Sequence, residues 1–157
     1  MNDPNHTESG HRLTERLQNY WEEVRGGKPV PDEADINPDH IADIWPSCFL
    51  INVRDTRFRY DYLGLDLVEA YGSDVSGQEI CEALVYPNSP TLFNAMQQAL
   101  RGGYPVEDHG EFINHAGAAV RYRCIVLPLV SHGDPATRFI LGGMRWRWYS
   151  RYENAAD

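Results

Sequence analysis

Residues 118–149 read AAVRYRCIVLPLVSHGDPATRFILGGMRWRWY. Tyr122, Cys124 and Val126 take one parity in this stretch and Arg121 and Arg123 the other; Met144, Trp146 and Trp148 alternate in the same way with Arg145 and Arg147. A period of two is the signature of a strand with two unlike faces. Gly133-Asp134-Pro135 supplies turn chemistry between the two segments, 118–130 and 137–149. Working outward, a third strand-like segment, 105–114, joins through His115-Ala116-Gly117. Upstream, the apolar run 48–53, a turn at Asp55-Thr56 and the alternating run 57–63 predict a hairpin. Between hairpin and meander lie helix signals at 66–71, 79–84 and 90–101, the last carrying Leu92, Phe93, Met96, Ala99 and Leu100 and stopping at Gly102-Gly103. Near the start, Leu13, Leu17, Tyr20, Trp21 and Val24 recur at helical spacing up to Gly26-Gly27. A connector with Pro29 and Pro31 follows, then Asn37-Pro38 opens a short helix with Ile41 and Ile44 that Pro46 ends. Grouped strands and grouped helices predict an α+β fold: a five-stranded antiparallel sheet, short helices on one face, and an N-terminal amphipathic helix. The expected divisions are a flexible tail at 1–11, a helical extension at 12–45, the sheet domain at 46–149 and a C-terminal tail at 150–157.

The chain has 157 residues, and 14 Lys+Arg against 23 Asp+Glu give a net charge of −9. That length closes one core without disulfides. The acidity speaks against a general nucleic-acid binder. No apolar run approaches the ~20 residues of a membrane span, and the polar first ten residues are not a secretory signal, so a cytoplasmic protein is expected. Cys48, Cys81 and Cys124 form no CxxC pair and are expected to be inert core thiols.

Several short motifs, taken in order, resemble the PAS domain family, and more closely a bacterial, mostly single-domain PAS subgroup formerly described as a domain of unknown function. They are Trp21 followed by Gly26, Gly27 and Pro29; Asp35-Ile36-Asn37-Pro38 with Ile41; Pro46 and Phe49; Arg59-Tyr60 and Tyr62-Leu63-Gly64; Gly72-x-Asp74 and Gly77; and VLPLVSHGDPATRFILGG from Val126 to Gly143. The sequence departs from the subgroup at Leu65, commonly Thr, and at Trp45, often Leu; both changes are expected to put bulk near the pocket or hairpin. The resemblance implies a sensory or regulatory module in signal transduction, acting through protein–protein contact as a dimer, with a ligand pocket between sheet and helices. Candidate pocket residues are Phe49, Tyr62, Tyr71, Phe93 and Met96. No cofactor is expected: Gly77-Gln78-Glu79-Ile80-Cys81 lacks the residues that flank the flavin-reactive cysteine of PAS photosensors, and no His falls between Asp61 and Leu100, where a haem ligand is often found.

Charge placement adds a constraint. Six acids (Asp61, Asp66, Glu69, Asp74, Glu79 and Glu82) occupy residues 61–100 with no Lys, Arg or His, which predicts that any small ligand there is uncharged. Eight of the 14 basic residues fall on strands or their ends: Arg54, Arg57, Arg59, Arg121, Arg123, Arg138, Arg145 and Arg147. Within individual strands they share parity against the apolar residues, so the sheet is expected to have an arginine-bearing face. That face is either matched by Glu107, Asp108 and Glu111 or open to a partner. The partner-interface candidates are Leu17, Trp21, Arg121, Arg123, Arg145, Trp146 and Arg147, and the first helix covers either its own sheet or a twin's. Two rival readings remain. One is an acid–base enzyme with a cone-shaped cavity, using Tyr60, Tyr62, Asp61 and His109; the other is a ligand-free scaffold dimer. No convincing catalytic constellation is present, so no enzyme and no metal site are expected.

Overall fold

The computed structural model describes residues 4–80 and 89–150, and of residues 4–11 the backbone alone. Helix α1 (Pro4–Arg25) is followed by three short 3₁₀ turns, Glu33–Asp35, Pro38–Ile41 and Trp45–Ser47. Then come β1 (Cys48–Arg54), β2 (Arg57–Leu63), α2 (Leu65–Tyr71), β3 (Glu79–Ile80), α3 (Pro90–Gly102), β4 (Val106–Ile113), β5 (Ala119–Val130) and β6 (Thr137–Trp148). The strands form one antiparallel sheet in the order β3-β2-β1-β6-β5-β4. The hairpin, the meander and α3 stand where the sequence predicts them. The sheet has six strands, not five, because Glu79–Ile80, expected to open a helix, pairs with Arg59 and Phe58 at the edge; the rest of that expected helix, with Cys81 and Glu82, lies outside the described residues. α1 begins within the stretch expected to be a tail. Pro4 is compatible with a first helical turn, where no N–H is needed. Among the described residues, no helix is long and apolar enough to cross a membrane.

Two apolar layers sandwich the sheet. On one face α2 and α3 pack Leu67, Tyr71, Leu92 and Met96 against Phe49, Ile51, Phe58, Tyr60, Tyr122, Cys124 and Met144. On the other, α1 packs Leu13, Leu17, Tyr20 and Trp21 against Cys48, Ile125, Leu127, Leu129, Phe139 and Leu141. The indole Nε1 of Trp21 donates to the Pro128 carbonyl at 2.9 Å. The first helix therefore covers its own sheet, the first of the two alternatives the sequence allowed.

The glycine pair of β6 sits where both layers press closest. Gly142 lies opposite Phe49 in the β1–β6 ladder, and a Cβ there would overlap the Phe49 ring. Gly143 faces the other way, and a Cβ there would stand 2.9 Å from Leu17 Cδ2. Gly64 is constrained in a similar manner: a Cβ would run into the Pro46 carbonyl, while its own N–H donates to Cys48 O at 2.9 Å. Three of the short motifs thus mark places where backbone or core meets backbone without room for a side chain.

Candidate functional site

At the hairpin end of the α2/α3 face, a cleft of about 500 Å³ opens between the β1–β2 turn, α3 and the start of β6, within the usual range for small-molecule sites. Its floor is apolar: Val53, Phe58, Ile80, Phe93 and Leu100. The Phe58 and Phe93 rings lie 5.2 Å apart. Its rim is polar, made by Asp55, Thr56, Gln97, Arg101 and Arg138. Phe93, Gln97, Leu100 and Arg101 reach it together because they are spaced four, seven and eight residues along one helical stripe. Asp55 holds the left-handed conformation of the tight turn, with φ of 57°, which Asp tolerates better than most residues.

Arg138 corrects an expectation. It has the parity of Ile140, not of Arg145, and so lies on the helical face and not on the arginine-bearing one. Its guanidinium Nη1 donates to the Leu100 carbonyl at 2.9 Å, satisfying one of the carbonyls that the last turn of α3 leaves open. The base-free stretch 61–100 ends one residue short of Arg101. The lack of cations that predicts an uncharged ligand therefore does not extend to this cleft.

Of the five pocket candidates, Phe93 alone lines the cleft. Phe49, Tyr71 and Met96 are buried in the core between sheet and helices. A run of ring contacts fills that space, from Phe49 to Tyr60, Tyr71, Phe112 and Tyr122, with neighbouring centroids 5.7–6.1 Å apart. The Tyr60 and Tyr71 hydroxyls are 3.1 Å apart. Tyr62 is on the opposite face. Leu50 pairs with Tyr62 but Ile51 pairs with Tyr60, so Asp61 is an extra residue, a β-bulge that reverses the parity of the residues after it. Tyr62 stacks on Trp45 at 4.4 Å and donates to the Trp45 carbonyl at 2.8 Å. The two departures from the subgroup pattern do not touch the cleft: Trp45 is used in this stack and Leu65 is exposed.

Burial pushes the phenols of Tyr60, Tyr71 and Tyr122 and the thiol of Cys124 upward, and raises the Cys48 thiol from 9.0 to about 12. Each group folds in its protonated form, so the stability it supports is intact below the unfolded-state value and is lost as pH rises toward the folded one. Stability is expected to be level from neutral pH to about 9 and to fall steeply above it, by roughly 1.4 kcal/mol per pH unit for each such group. Urea titrations between neutral pH and the alkaline limit check this; a midpoint that holds through pH ~11 would show that these groups do not set the alkaline limit.

On the arginine-bearing face, Arg145 lines a hollow together with Arg12, Leu13, Glu15, Arg16 and Asn19 of α1 and with Asp43 and Ile44. Register, which the sequence left open, settles the pairing: Glu111 opposes Arg121, His109 opposes Arg123, and Glu107 opposes Ile125. Arg121 donates to Glu111 Oε1 at 2.9 and 3.2 Å and lies 4.5 Å from the Tyr149 ring centroid. Asp108 turns to the helical face, where it accepts from Tyr122 Oη at 2.7 Å. Arg123 and Arg145 are neighbours across β5 and β6, Arg147 is exposed, and Arg145 Nε is buried without a hydrogen-bond partner. Trp146 belongs to the other face, its Nε1 donating to Asp66 at 3.2 Å. Leu17 and Trp21, two of the interface candidates, are buried against the chain's own sheet.

The residues nominated for acid–base chemistry are not brought together. Tyr60 is in the core, Asp61 accepts from Asn52 and Arg59 on the opposite face, and His109 is exposed on β4. Two tyrosine–carboxylate contacts exist among the described residues: Tyr149 donates to Glu111 at 2.6 Å on the exposed side of the sheet, and Tyr122 with Asp108 belongs to a cluster with Ser89 and Thr91 that ties the start of α3 to β4 and β5. Among the described residues no group of His, Cys, Asp and Glu could hold a metal. Sequence reasoning missed Gln97, Arg101 and Arg138. The stripe Phe93, Gln97, Arg101 was visible as a four-residue repeat; the parity of Arg138 with Ile140 was visible too.

Residues 9–144 match the family model described as PAS domain. No curated protein matches the chain. Among solved structures, it is similar to the light-state structure of the blue-light photoreceptor Aureochrome1 LOV, at 11% identity over 74% of this chain and 92% of that one, with a TM-score of 0.50. It is also similar to the light-state dimer of the fungal photoreceptor Vivid (14% identity, 83% and 92% covered, TM-score 0.49) and to a PAS domain from a two-component sensor histidine kinase (12%, 69% and 93%, 0.45). At these identities the likeness is one of fold.

Proposed function

Since the chain belongs to the PAS domain family, a sensory module of signalling proteins, we propose that it is a regulatory module whose output is a change in protein–protein contact, coupled to a small ligand in the α3 cleft. The observation that carries this reading is the glycine pair. Phe49 of the ligand-side core and Leu17 of α1 press on adjacent residues of β6 from opposite faces, with no side chain between either of them and the backbone. A shift of the core on one side therefore reaches α1 through one strand's thickness. Signalling is a population shift between two placements of α1, each favoured by one state of the cleft. The contact surface is the C-terminal end of β6, where Arg147 on one face and the exposed Trp148 on the other offer residue types enriched at interfaces, and a second copy of the chain is the first partner to test. Arg–aromatic surfaces of this kind and the separation of the acid–base candidates both favour a binding module over an enzyme.

The test uses the full chain. Gln97→Trp, which fills the cleft, is expected to change amide hydrogen exchange across residues 12–25 by threefold or more, although the cleft and α1 lie on opposite faces of the sheet. Sedimentation of the wild type is expected to show concentration-dependent association that the double variant Arg147→Glu, Trp148→Ala abolishes. Unchanged exchange in the first experiment removes the coupling; unchanged association in the second removes the proposed surface.

A further inference from the structure

We propose that the cleft between the β1–β2 turn and α3 binds a small amphipathic carboxylate, its apolar tail on Phe58, Phe93 and Leu100 and its carboxylate on Arg101 and Arg138. This rests on the preceding reading only in making the cleft the sensory input; the binding itself is a separate claim.

Three features of the site point to this chemistry. First, polarity is segregated: the floor is aliphatic and aromatic, while the charged groups stand at the rim. A wholly polar solute leaves the floor wetted, and a wholly apolar one leaves the rim unused. Second, the two arginines are held close together by the fold. Arg138 is fastened to the Leu100 carbonyl, and Arg101 is the next residue of the same helical turn. That bond uses one of the five N–H donors of a guanidinium, so Arg138 keeps a fixed position and a largely free donor edge. Neither arginine pairs with a described acid. Third, the charge count selects a monoanion. Among the described residues of the walls, two arginines face one acid, Asp55, leaving a single positive charge to be matched. A carboxylate neutralises it and presents two coplanar oxygens to the fork of an arginine. A dianionic phosphate would overshoot and meet Asp55 as a like charge.

The probes are octanoate, octanol and octylamine, which share a tail and differ in head-group charge, titrated into the full chain by calorimetry and followed by amide chemical-shift mapping. Octanoate is expected to bind at least tenfold more tightly than octanol, with octylamine weakest, and the preference to shrink as salt is added. Its shifts are expected to centre on Phe58, Phe93, Gln97 and Leu100. Arg101→Gln, which breaks no ion pair with a described acid, and Arg138→Gln, which keeps an amide donor for the Leu100 carbonyl, are each expected to weaken octanoate about tenfold and leave octanol unchanged. Equal binding of octanoate and octanol overturns the proposal, as do unaltered octanoate affinity when Arg101→Gln and Arg138→Gln are combined, shifts centred on α1, and no binding by any probe at millimolar concentration. The sensory reading fails separately: octanoate that binds in the cleft without changing exchange in α1 supports the ligand class and removes the coupling.

Discussion

Gly142→Ala is expected to destabilise the domain by roughly 3 kcal/mol, at the upper end of the cost of overfilling a packed core. The added carbon would occupy the space of the Phe49 ring, and Phe49 has nowhere to go. It is fully buried, edge-on to Tyr60 at 5.9 Å, and pinned by the β1–β6 register that places it opposite Gly142. Relief therefore requires moving the ring that heads the aromatic run or bending β6 away from β1. Two controls separate this cause from a general glycine effect. Gly133→Ala, in the β5–β6 turn with open space around it, is expected to stay within about 0.5 kcal/mol of the wild type. Phe49→Leu added to Gly142→Ala is expected to recover part of the loss, because neighbouring substitutions that share one space are not additive. Urea unfolding followed by far-UV circular dichroism measures these variants and Phe49→Leu alone. If the losses of the two single variants simply add in the double variant, the clash is not the cause.

Trp21→Ala is expected to cost about 3–5 kcal/mol, the usual range for removing a large aromatic from a core, and to loosen α1 before the sheet. Trp21 is buried in the layer between α1 and the sheet, and its indole satisfies the Pro128 carbonyl. Trp21→Phe keeps most of the ring but strands that carbonyl, for an expected loss of about 1–3 kcal/mol. Hydrogen exchange should show protection falling across residues 12–25 in Trp21→Ala while β5 and β6 stay protected, and Trp45, Trp146 and Trp148 remain as fluorescent reporters of the sheet. The sequence offered Trp21 as a partner contact. Were that its main role, the isolated chain would keep its stability on truncation and lose only association.

These two residues illustrate unequal legibility. The helical spacing of Leu13, Leu17, Tyr20 and Trp21 announced an apolar stripe, and the stripe is there. What it covers depends on which surface lies within reach, and no local pattern encodes that. The glycine pair was recognisable as part of a motif, yet its meaning, one glycine for each face of the sheet, follows only from the β1–β6 register and the placement of α1. Tyr62 shows the opposite failure. Perfect alternation from Arg57 onward assigned it to the pocket side, and one bulged residue, Asp61, reversed it. A bulge is accommodated by the partner strand and the turn, so the alternating strand itself carries little sign of it.

The sequence by itself determined the order of the elements other than the short edge strand Glu79–Ile80, the antiparallel character of the sheet, the hairpin and meander turns, and the amphipathic first helix. These depend on side-chain period and on Gly, Pro, Asn and Asp at turns and caps, all set within a few residues. Tertiary structure alone decided that α1 lies on its own sheet, that the interior between sheet and helices is filled by rings, and that Phe58, Phe93, Arg101 and Arg138 share one cleft. The hairpin, α3 and β6, which supply those residues, are separated by dozens of residues in the chain. Their meeting is fixed by strand order and register, which are properties of pairs of segments, and no single segment can state them.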